Sequence, residues 1–96
     1  MSVVILGGNE CMVRRYIDVC SEFRCKAKVY AKMSREMQDI GNPDLLVMFT
    51  DTISHKMVRS ALNETKGQNT RIVRSHSSSV SALKNILLEH AKGCFS

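Results

Sequence analysis

PDLLVMFTDTISHKMV, residues 43–58, decides how the rest of the chain is read. Its first half, from Asp44 to Thr50, is a near-continuous apolar run without a period of two. That is the pattern of a strand covered on both faces. Its second half changes period, because Met57, Val58, Ala61 and Leu62 fall on one stripe of a helix. A doubly covered strand followed at once by a helix is the repeating unit of a parallel sheet with helices on its faces. Thr52 and Ser54 stand where a helix cap belongs, and His55 stands at the helix start.

The same alternation extends outward. VVIL (residues 3–6) ends at Gly7–Gly8, AKVYA (27–31) follows a cationic turn, and RIVR (71–74) is the shortest strand-like run. Met12, Val13, Tyr16, Val19, Cys20 and Phe23 form one helical stripe, and Val80, Leu83, Leu87 and Ala91 form another. SREMQD (34–39) reads as one or two helical turns, after which Gly41-Asn42-Pro43 breaks the chain. With right-handed crossovers, this order predicts an α/β fold: a single three-layer Rossmann-like domain over residues 1–96. Its four-stranded parallel sheet has the order 2-1-3-4. Ligands of such sheets sit outside the carboxyl ends of the strands, here where the winding switches between the first and third.

Composition narrows the function classes. Apolar residues make up 44% and charged residues 24% of the 96, the balance of one globular domain. No apolar run approaches the roughly 18 residues of a membrane span. MSVVILGG has no basic leader and reads as a strand, so the expected location is cytoplasmic and Cys11, Cys20, Cys25 and Cys94 are expected as free thiols. The spacing of Cys11, Cys20 and Cys25 lacks the paired hooks of a zinc site. A net charge of +5 is dispersed along the chain, with three Phe, two Tyr and no Trp. Dispersed charge without a stacking platform argues against nucleic acid and suits a small anionic ligand better.

Three loops are expected at the carboxyl edge: Gly7-Gly8-Asn9, then Thr50 to Lys56, then Arg74 to Ser78. Neither GxGxxG nor GxxxxGK[ST] occurs. Gly7 and Gly8 suit a tight turn, or close backbone approach to a ligand. The hydroxyls of Thr52, Ser54 and Ser77 to Ser79 suit caps, and the free N–H groups of the same helix starts suit an anion. Asp51 reads as a turn or cap residue, with no second carboxylate near it. The positive end of a helix favours a neutral imidazole at His55, the form that a haem iron, another metal or a polarised substrate requires. Its plainer role is a bond to backbone. His76 repeats the situation in the neighbouring loop, while His90 reads as structural or as a charge partner at a helix end. The methionines read as gap-fillers, or as walls of an apolar pocket.

VVILGGN, PDLLVMFTDTISHKM and IVRSHSSSVSALKNIL together resemble the small bacterial family catalogued as domain of unknown function 2325, from Val3 to about Glu89. Asp51, Ser54, His55, Ser78 and Ser81 stand at the places of the family pattern. Ser75-His76 departs from the glycine-containing loop of many relatives, which makes His76 a subgroup feature. The resemblance carries an association with haem. It implies haem b held by His55 as metal ligand, or by His76, with Arg74 and Lys56 at the propionates. His76 is then expected as the distal, catalytic group. A domain this small cannot enclose a haem without losing much of its core, so a homodimer with the site between subunits is expected. The leading expectation is thus a small cytoplasmic haem protein for gas sensing or oxygen-dependent chemistry, of oxygenase type if it is an enzyme. Its rivals are a regulatory module that takes a small phosphorylated or carboxylated ligand at two helix N-termini, and a partner-binding domain without a ligand.

Overall fold

The structure is a computed structural model that describes residues 2–31, 43–67 and 69–90. Strand β1 (Ser2–Leu6) leads through a 3-10 turn (Glu10–Met12) into helix α1 (Val13–Glu22). Then come β2 (Lys26–Tyr30), β3 (Leu45–Phe49), α2 (His55–Glu64), β4 (Arg71–Ser75) and α3 (Val80–His90). The strands form one parallel sheet in the order β2-β1-β3-β4, as the alternation of patterns predicts. Each strand lies within one residue of its sequence-predicted position at either end. The helical turns expected at 34–39 lie outside the described residues.

Side-chain alternation divides the core into two layers. Val3, Ile5, Leu45, Val47 and Phe49 point to one face, where Tyr16, Val19 and Cys20 of α1 and Leu83 and Leu87 of α3 cover them. Val4, Leu6, Leu46 and Met48 point to the other, against Met57 and Ala61 of α2. The β3 run is therefore apolar throughout because both of its faces are roofed. Among the described residues, no helix is long and apolar enough to cross a membrane.

Arg24 takes φ 57° after α1, and the Cys25 N–H returns to the Cys20 carbonyl at 2.8 Å. This closes the helix and turns the chain into β2. Cys20 and Cys25 are thereby buried as neighbours in the same cluster.

Candidate functional site

The parallel strands deliver three loops to their carboxyl edge, and hydrogen bonds tie these loops together. The Gly8 N–H donates to Thr52 Oγ1 at 2.6 Å, and that hydroxyl donates to the Phe49 carbonyl at 3.1 Å. The Asn9 N–H donates to the Tyr16 hydroxyl at 3.4 Å, and Tyr16 in turn donates to the Ser78 carbonyl. Ser78 Oγ donates to Asp51 Oδ2 at 3.4 Å. Gly7–Asn9, Asp51–His55 and Arg74–Ser78 thus share one edge, where the strand order switches.

Both glycines are required, and for contacts within the chain. Gly7 has φ 87° and a Cβ there would overlap Ile53 Cγ2 and stand 2.8 Å from Thr52 Oγ1. Gly8 has φ 86°, and its Cβ would lie 2.7 Å from the Tyr16 ring. Positive φ and the lack of a side chain let the first loop lie directly on the second loop and on α1.

The helix starts are capped by their own residues. Asn9 Oδ1 accepts from the Cys11 N–H at 3.0 Å, Ser54 Oγ from Met57 at 3.4 Å, and Ser79 Oγ from Ala82 at 3.2 Å. Of the two hydroxyls that sequence offers for α2, Ser54 is the cap and Thr52 fastens Gly8. Each cap engages one of the N–H groups that a helix start leaves without an intrahelical partner.

Thr50 touches His76 and shares a cleft with His55, while His76 is not part of the cleft lining. His76 Nδ1 lies 3.3 Å from Thr50 Oγ1. Thr50, Ile53, His55, Val58 and Arg74 line an open cleft of about 190 Å³. Its walls combine aliphatic groups, an imidazole and a guanidinium, the composition that fits an apolar body with an anionic tail. Small-molecule sites usually measure roughly 300–1,000 Å³, so this cleft is smaller than a complete site of that kind. Among the described residues, no group of three or more His, Cys, Asp or Glu side chains could hold a metal ion.

Other candidates lie elsewhere. Lys56 is exposed on α2, outside the cleft lining. His90 Nδ1 sits 3.2 Å from Arg71 Nη1 near the opposite end of β4, away from the cleft. Burial, and secondarily the neighbouring Cys25, pushes the Cys20 thiol up to about 12. It is therefore a poor nucleophile. Sequence reasoning placed Tyr16 only on an apolar stripe. Its hydroxyl is what joins the first and third loops, a role signalled at most by a tyrosine among aliphatic neighbours.

Residues 2–90 match the family described as uncharacterized protein conserved in bacteria, domain of unknown function 2325. The chain belongs to this family. No curated protein and no solved structure matches it significantly. The span of the domain 2325 match includes every strand and helix described above and all three loops of the carboxyl edge.

Proposed function

We propose that the chain is a cytoplasmic homodimer that binds haem b through His55 and serves gas sensing or oxygen-dependent chemistry. The observation that carries this reading is the cleft, which sets the imidazole of His55 beside aliphatic Ile53 and Val58 and the guanidinium of Arg74. His55 would ligate the iron, Ile53 and Val58 would supply apolar contact, and Arg74 would meet a propionate. Lys56, next on α2 and exposed outside the cleft lining, would be a second cation for a propionate. When bound, haem supplies a redox-active iron with a position for a gas.

The chain's own residues hold this arrangement. Gly7, Gly8 and Asn9 fix the first loop, Ser54 caps α2 so that His55 begins it, and Asp51 with Ser78 joins the second loop to the third. His76, held on Thr50, is the polar group available to a reactant. The anion-binding alternative would use the N–H groups of the same helix starts that Ser54 and Ser79 do not cap.

A second subunit completes the cleft. Leu46 pairs with Ile72 and Met48 with Arg74, so Ile72 and Arg74 lie on the α2 side of the edge strand. Ile72 is 40% exposed. An apolar residue beside the cleft on an unroofed edge suits burial by a second copy of the chain.

Titration of the purified chain with haem tests the assignment. Wild type should develop a Soret band with saturable stoichiometry, His55→Ala should lose it, and Arg74→Ala should bind more weakly with the same band. No band in wild type, or an unchanged band in His55→Ala, contradicts the proposal.

A further inference from the structure

Thr50 makes two contacts with one proton. Its Oγ1 lies 3.2 Å from the Ser75 carbonyl and 3.3 Å from His76 Nδ1. A carbonyl can only accept, whereas an imidazole nitrogen either donates or accepts according to tautomer. With a neutral imidazole and each proton given to a single acceptor, both contacts are hydrogen bonds in one arrangement. The hydroxyl proton goes to Ser75, and His76 carries its own proton on Nδ1 and donates it to Thr50. In the opposite assignment the Thr50 and Ser75 oxygens face each other at 3.2 Å with no proton between them, and the Ser75 carbonyl keeps the Thr50 N–H alone, at 2.8 Å.

We infer that Thr50 is a positioning residue that holds neutral His76 as its Nδ1–H tautomer and leaves Nε2 bare. The hydrogen bond made by one ring nitrogen decides what the other can do. His76 is exposed, so Nε2 is reachable. A bare Nε2 accepts a proton or ligates a Lewis acid, and does not donate. The group that meets neutral His76 is therefore an N–H or O–H of the ligand, or a Lewis-acidic centre. A bound gas or an oxyanion waiting for a donor is not served. This changes the role expected of His76 from distal donor to proton acceptor.

The inference deepens the proposed site, but its test needs no cofactor. Uniformly ¹⁵N-labelled full-length chain without added ligand is taken to a pH where its histidines are neutral. Long-range ¹H–¹⁵N spectra then identify the protonated ring nitrogen, with His55→Gln, His76→Gln and His90→Gln assigning the three histidines. His76 should show Nδ1–H and a bare, downfield Nε2. Thr50→Val should exchange the two nitrogens' shifts, and Thr50→Ser, which restores the hydroxyl, should restore the wild-type pattern. Nε2–H in wild type, or an unchanged tautomer in Thr50→Val, overturns the inference. Failure of haem to bind would leave these spectra untouched and would count against the haem reading alone.

Discussion

Strands β3 and β4 run side by side in strict register, Leu45 against Arg71 through Phe49 against Ser75, yet their environments differ completely. All five residues of β3 are buried, whereas β4 has only Val73 and Ser75 half-buried. The difference is position. A central strand of a parallel sheet is roofed on both faces and holds the layers together, while an edge strand keeps surface to offer. Stability is concentrated in the first and the proposed chemistry lies beside the second.

The largest effects belong to the central strand. Leu46→Ala, which empties a fully buried site between β3 and α2, should cost about 2–5 kcal/mol in denaturant unfolding. A cost under about 1 kcal/mol would break the distinction between the strands. Gly7→Ala should cost about 2–4 kcal/mol, because a Cβ there meets Ile53 and Thr52 in a positive-φ backbone. Gly67→Ala is its control. That site has φ 81° but nothing within 4 Å, so only the backbone term of about 1 kcal/mol should appear.

Tyr16 packs on Phe49 at the end of β3, ring centroids 5.4 Å apart, and its hydroxyl joins Asn9 to Ser78. Tyr16→Phe keeps the ring and removes that link. A loss of about 1–2 kcal/mol is expected, with faster amide exchange in both loops. Exchange unchanged at Asn9 and Ser79 would show that the hydroxyl does not hold the edge together.

Cys20 tests burial through pH. Its folded value is raised from 9.0 to about 12, chiefly by burial and then by Cys25. The unfolded chain therefore loses this proton first, so the stabilisation is full below about pH 9 and declines toward about pH 12. By about pH 10 wild type should have lost on the order of 1 kcal/mol more than Cys20→Ala, relative to neutral pH. Parallel pH profiles would place Cys20 outside the core. The smallest stability effect belongs to the edge, where Ile72→Ser should change subunit stability by about 0.5 kcal/mol or less. Its proposed effect is on self-association, read by sedimentation.

Legibility in sequence followed the same division. The β3 run declares itself because double burial demands apolar residues at every position, and that one strand anchors the layer order. RIVR was recognisable from its two β-branched residues, although its arginines carry no burial signal. The loops that meet at the carboxyl edge were predictable from topology, but not the bonds that join them. Whether Thr52 or Ser54 caps α2 depends on Gly8, which lies 44 residues from Thr52 in the chain. The Tyr16–Ser78 and Thr50–His76 contacts likewise join distant segments without any spacing that marks them. Ile53 and Val58 became cleft walls only once the β3–α2 turn was in place.

The central claim is that His55 and its cleft bind haem between two copies of the chain. Sedimentation velocity of the haem-titrated chain, recorded at the Soret wavelength, tests both halves in one experiment. Haem absorbance should sediment at the mass of two chains in wild type and should separate from the protein in His55→Ala. Haem that travels with a single chain, or that never sediments with wild type, contradicts the account.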